Sequence, residues 1–199
     1  MRKSISVILI AILMISLAGC KKNINKEIDK IYKDIESYSA VVRVTVAGNK
    51  GAEQYEVSQS YKGGRYRTEV TKPERMKGTV SVISGDEMWL RSAGEPAIYM
   101  EKGFSDEQKD YMFIKDFLDE YYSQESLPVL VPDEEGRIML NLPERGNNEK
   151  RFKQSLWIDE KTRIPVCLAT YDKNGDEVIR VEYISFVPDA EIEDSVFIP

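Results

Sequence analysis

No histidine occurs in the 199 residues, and cysteine occurs only twice. The first absence excludes imidazole acid–base chemistry, Ser-His-Asp and Cys-His nucleophile systems, HExxH metalloproteases and His-ligated zinc. The second leaves no room for a disulfide framework. Basic residues are also short: 28 Lys and Arg face 34 Asp and Glu, for a net charge of −6 and an isoelectric point near 5.0. That balance excludes a general nucleic-acid binder, whose affinity rests on basic contacts to phosphates. Glycine-rich phosphate loops, GxSxG elbows and SxxK nucleophiles are missing as well. One domain with a full hydrophobic core fits the length.

The two ends of the chain and the pattern between them carry the positive signals. Arg2 and Lys3 precede an uncharged run of 16 residues, Ser4 to Gly19. It is shorter than the roughly 20 apolar residues that span a bilayer. A charged start, apolar middle and small-residue end read as an export signal. Leu17-Ala18-Gly19-Cys20 looks like a bacterial lipobox. The resemblance implies cleavage before Cys20 and attachment of a diacylglycerol, with palmitate-type chains, to its sulfur. The expected organisation is therefore a signal peptide over 1–19 and a single domain over 20–199 tethered through Cys20.

With Cys20 acylated, Cys167 has no partner within the chain. It lies in the strand-like run Ile164–Ala169, where a small buried hydrophobe is expected rather than a catalytic thiol. The 180 residues after the signal carry a net charge of −8, unevenly spread. Residues 21–100 have a net charge of +3 and residues 101–199 one of −11. Lys21, Lys22, Lys26, Lys30 and Lys33 would thus lie close to the lipid, suited to an anionic leaflet.

Ile24, Ile28, Ile31, Ile35 and Tyr38 recur at helical spacing, which predicts an amphipathic helix of about four turns. From Ser39 the period changes to two, and short alternating runs separated by Gly-rich turns predict an antiparallel meander. Ser105-Asp106-Glu107-Gln108 reads as a capping box opening a second helix over 109–122. Strands resume at 137–142, 151–158, 163–171 and 177–187, the last two joined through Asp172-Lys173-Asn174-Gly175 as a two-residue Asn-Gly hairpin. The sum is an α+β domain of about ten strands and two helices.

Asp172, Asn174, Asp176 and Glu177 resemble a calcium loop in composition, but the sixth position is Glu177 where an EF-hand needs glycine. No metal site is expected. Adjacent carboxylates such as Glu134 and Glu135 are no more frequent than the acidic composition explains. Met88-Trp89-Leu90 sends bulky groups to both faces of one strand. A curved sheet with such groups on its concave side forms either a ligand cavity or a face plugged by the helices.

Trp157-Ile158-Asp159, Thr162 and Pro165 are similar to the Trp-Ile-Asp-x-x-Thr-x-x-Pro stretch of the LolA-like lipoprotein-carrier superfamily. A strand, a Tyr-Asp-x-Asn-Gly hairpin and a further strand follow, and the chain ends in a similar Val187–Pro199 segment. This resemblance implies a strongly curved, incomplete antiparallel barrel covered by helices, with an interior able to hold acyl chains. Trp157, Asp159, Thr162 and Pro165 are structural positions in that motif. Within the superfamily, size, lipobox and short tether resemble the GerS-type germination lipoproteins of spore-forming Firmicutes. What this implies is no catalysis and no cofactor. It implies a protein-binding regulator that activates a cortex-modifying N-acetylmuramoyl-L-alanine amidase, anchored outside the cytoplasm on the cell or forespore membrane. The alternative is a LolA- or LolB-like carrier or receptor binding acyl chains.

Overall fold

The computed structural model describes residues 23–48, 51–103, 112–144 and 149–199. The signal segment, Leu17, Ala18, Gly19, Cys20 and the 105–108 capping box lie outside the described residues.

Helix α1 spans Ile24–Tyr32 and is capped by Asn23, whose side chain accepts from the Lys26 N–H. Glu27 in the first turn and Lys30 in the last both suit the helix dipole. The helix is shorter than the four turns expected. Ile28 and Tyr32 are buried from the helix, whereas Ile35 and Tyr38 continue the apolar contact from the following turn and from strand β1. Pairing of Ser37 and Tyr38 with Lys62 and Tyr61 takes those residues into the sheet, so the strand ladder overrides the helical spacing.

Ten strands form one antiparallel sheet: β1 (Ser37–Gly48), β2 (Gly51–Lys62), β3 (Arg65–Lys72), β4 (Val80–Ser84), β5 (Glu87–Arg91), β6 (Ile98–Lys102), β7 (Arg137–Asn141), β8 (Lys153–Asp159), β9 (Pro165–Tyr171) and β10 (Glu177–Pro188). Their order is β6-β5-β4-β3-β2-β1-β10-β9-β8-β7. Two meanders therefore meet where the first strand pairs with the last, from Tyr38 opposite Pro188 to Val46 opposite Ile179. Irregularities opposite Val41/Val42 and at the ends of other ladders add local twist, which curves the sheet. The sheet stays open, with β6 and β7 as its edges.

An aliphatic row crosses the concave face through Leu140, Leu156, Leu168, Val181 and Val44, directly opposed from β7 to β1 and all nearly inaccessible. An aromatic row runs through Tyr66, Tyr61, Tyr38 and Phe186, with ring centroids 4.9, 5.5 and 5.3 Å apart in turn. Helix α2 (Ile114–Tyr122) covers this row. Phe113 sits 4.5 Å from Tyr66, and the Tyr66 hydroxyl donates to Asp116 Oδ1 at 2.5 Å. The described helix begins later than expected because Phe113 is extended, and Gln59 Nε2 donates to the Met112 carbonyl.

On the convex side, the C-terminal segment crosses β1 to β5. Lys62 Nζ donates to the Ile192 carbonyl at 2.7 Å, and Asp194 pairs with Lys62 and Arg65. Phe197 packs with Val80 and Val82, flanked by Trp89. Trp89 thus serves the outer face while Met88 and Leu90 point inward. The hairpin at Asp172–Gly175 also differs from expectation. Of its residues only Gly175 takes a positive φ, 86°, and the Asp172 and Asp176 backbones pair across three residues. The Asp172 carboxylate accepts from the Asn174 and Asp176 N–H groups, which holds Asn174 out of the left-handed region.

Truncating Leu156 to alanine should empty the centre of the aliphatic row and cost about 2–5 kcal/mol in chemical unfolding at unchanged fold.

Candidate functional site

An apolar cavity of about 410 Å³ opens on the concave face. Val44, Val57, Val70, Ile83, Met88 and Leu90, from five successive strands, form its floor, and Met112 and Phe113 border it. Each floor residue projects inward because strand alternation puts it there. Its volume lies within the roughly 300–1,000 Å³ of small-molecule sites. Polar groups in the wall are mostly satisfied by one another. The Thr68 and Ser81 hydroxyls lie 2.6 Å apart, and Thr79 Oγ1 accepts from the Ala93 N–H. Arg151 is the one charged residue along the described lining. Such a surface offers mainly dispersion contact. The helices and the cavity thus share the concave face: α2 covers the aromatic row, and the apolar cavity lies on the β1–β5 side.

The Trp157–Pro165 stretch lies elsewhere, at the β8–β9 turn. Trp157 is half-buried on the convex face, opposite Cys167 and Met139. The Asp159 carboxylate accepts from the Lys161 N–H at 3.0 Å, the Thr162 N–H at 2.7 Å and the Thr162 hydroxyl at 2.8 Å. These Thr162 donors hold the Asp159 carboxyl below the usual carboxylate range. Pro165 is buried where β9 begins, opposite Ile158.

This turn forces Arg163 into a positive φ of 60°, and both of its ends then meet α1. The Arg163 guanidinium donates to Glu27 Oε2 through Nη2 at 2.6 Å and Nε at 3.0 Å, while its carbonyl accepts from the Tyr32 hydroxyl at 2.5 Å. Near the start of α1, Asn25 Nδ2 donates to the Pro128 carbonyl and Asn25 Oδ1 accepts from the Leu130 N–H. The Tyr122 hydroxyl of α2 donates to Asp29. Burial raises the Tyr32, Tyr66 and Tyr122 hydroxyls far above the ordinary tyrosine range, so they remain donors. None of this docking was legible beforehand. The spacing of Asn25, Glu27 and Arg163 carries no motif, and only the fold brings residues 136 positions apart together.

Burial pushes the Cys167 thiol up, which keeps it protonated, and Arg180 Nη1 lies 3.4 Å from its sulfur. Among the described residues no group of three or more Cys, Asp or Glu could hold a metal, and no helix is long and apolar enough to cross a membrane.

A family model described as sporulation protein YdcC-like matches residues 1–197. The chain belongs to this YdcC-like sporulation family. No curated protein matches its sequence. Among solved structures, the YdcC-like chain is similar to an uncharacterized conserved protein from Thermus thermophilus, at 15% identity and a TM-score of 0.51 over 87% of this chain and 90% of that one. It is also similar to the structure of the CwlD amidase from Clostridioides difficile in complex with the GerS lipoprotein, at 25% identity and a TM-score of 0.49 over 88% and 97%. A third likeness is the LolA superfamily protein NE2245 from Nitrosomonas europaea, at 14% identity and a TM-score of 0.48 over 88% and 96%. The ten-stranded curved open sheet with its two described helices is an α+β fold, shared with the Thermus thermophilus protein.

Two outcomes follow for the β8–β9 turn of this YdcC-like protein. Glu27→Gln should weaken the anchorage of α1 by about 1.5–3 kcal/mol in urea unfolding, the range for hydrogen bonds to a charged group. Because the folded Asp159 carboxyl is depressed, its contribution is present above about pH 4 and is lost as pH falls through its folded value. The stability gap between the natural chain and Asp159→Asn should therefore shrink on acidification below about pH 4, as followed by thermal unfolding from neutral to acidic pH.

Proposed function

We propose that the protein is a non-enzymatic lipoprotein, lipidated at Cys20 after removal of residues 1–19, that binds and activates a cortex-modifying N-acetylmuramoyl-L-alanine amidase during spore formation. The observation that carries the reading is membership of a sporulation family across residues 1–197. The lipobox Leu17-Ala18-Gly19-Cys20 adds the anchor and an extracytoplasmic place on the cell or forespore membrane. Apolar side chains left exposed on the β6 edge, Ile98, Tyr99 and Met100, supply surface for a protein partner. An amidase is the partner class to test first, since GerS is found in complex with the CwlD amidase.

The cavity favours a second reading, a carrier or receptor for acyl chains. Its floor is aliphatic from β1 to β5, and its polar wall groups are paired. Ile83→Trp would fill it from the floor.

Cys20→Ala should move the protein from the membrane to the soluble fraction, and an unchanged membrane fraction overturns the anchor. Pull-down from sporulating cells with the natural chain should recover an amidase and raise its activity. Stoichiometric phospholipid in native mass spectra, lost in Ile83→Trp, together with no amidase recovered, would replace the regulator by the carrier.

A further inference from the structure

Between α2 and β7 the chain runs Leu127-Pro128-Val129-Leu130-Val131, an apolar stretch in an otherwise acidic half. Only one of its side chains is buried. Leu130 is buried, whereas Leu127, Val129 and Val131 are 37%, 83% and 71% exposed. The conformation is fastened from both sides. Asn25 grips the Pro128 carbonyl at 3.0 Å and the Leu130 N–H at 3.1 Å, and Pro132 bridges to Ile138. Val129 and Val131 are therefore held toward solvent by a fixed backbone, with Leu127 partly exposed beside them.

The residue that holds them is five positions from Cys20. Cys20 and Asn23 are three residues apart, a reach of at most about 11 Å at roughly 3.6 Å per residue. A lipid on Cys20 would keep the first turn of α1, and with it Asn25 and its loop, at the bilayer surface. Lys26 and Lys30 on α1 and Lys33 at its C-cap are exposed and match an anionic leaflet. Glu125 and Asp133-Glu134-Glu135 flank the apolar run, so the contact is shallow and confined to the three tips. No described residue lining the concave cavity comes from α1 or from this loop.

We infer that Leu127, Val129 and Val131 form a second membrane contact, inserting into the headgroup–acyl boundary of the leaflet that holds the Cys20 lipid. A single lipid attachment leaves a domain free to swivel, whereas a second, rigid contact sets its orientation. This inference rests on lipidation of Cys20 and adds an orienting surface to it.

The test uses the full lipidated protein with Cys167→Ser, so that an environment-sensitive fluorophore attaches only to an introduced thiol. Val129→Cys and Val131→Cys report on the loop, and Ile98→Cys on β6 is the exposed control. In phosphatidylcholine–phosphatidylglycerol vesicles containing nitroxide-labelled lipid, quenching at 129 and 131 should exceed that at 98 at least threefold. Amide exchange across 127–131 of the unlabelled protein should slow on vesicle binding. Protein that is vesicle-bound yet quenched equally at all three sites overturns the contact and leaves the anchor standing. Protein that fails to bind vesicles overturns both. Labels shielded only after addition of an amidase overturn the contact in favour of protein docking.

Discussion

The pairing of β1 with β10 is the interaction on which the molecule depends. It joins the first and last strands of the chain, and without it the sheet is two separate meanders, each with an exposed inner face. Through that seam the aliphatic row passes from β10 into Val44 of β1, and the aromatic row passes from Tyr38 to Phe186. Neither row is continuous in either meander alone. The same seam carries the C-terminal segment outward, where the Asp189 N–H donates to the Ser37 carbonyl and the tail crosses to Trp89.

Among the described residues, two short helices pack on the concave face. Helix α2 satisfies the aromatic side of it, with the Tyr66–Asp116 hydrogen bond fixing the approach. Helix α1 is held by Arg163 and the loop before β7. The apolar cavity lies over β1–β5. The Trp157–Pro165 stretch does not line it. It forms the turn that presents Arg163 to α1, so the residues carrying the family resemblance act on the placement of the helix next to the proposed tether.

Much of the fold was legible in local pattern. Period-two runs marked strands such as 137–142 and 177–187 within a residue or two of their bounds, because alternation follows from one buried and one exposed face. The first helix was overextended at Ile35 and Tyr38, since helical spacing and strand burial coincide there and only the β1–β2 register separates them. Asn174-Gly175 marked a turn correctly but not its type, because the Asp172 carboxylate captures the Asn174 N–H. The candidate site was less legible. That Met88 and Leu90 share a face is local information; that Val44, Val57 and Val70 join them is not.

By itself, the amino-acid sequence determined the absence of imidazole chemistry, the export and lipobox pattern, the α+β class and the resemblance to LolA-like lipoproteins. All of these depend on composition or on residues within a few positions of each other. Tertiary structure alone decided that a cavity survives beside α2, that Arg163 clamps α1, and that Leu127, Val129 and Val131 stand exposed beside Asn25. These depend on register and packing between segments 50 to 136 residues apart, where no local rule reaches.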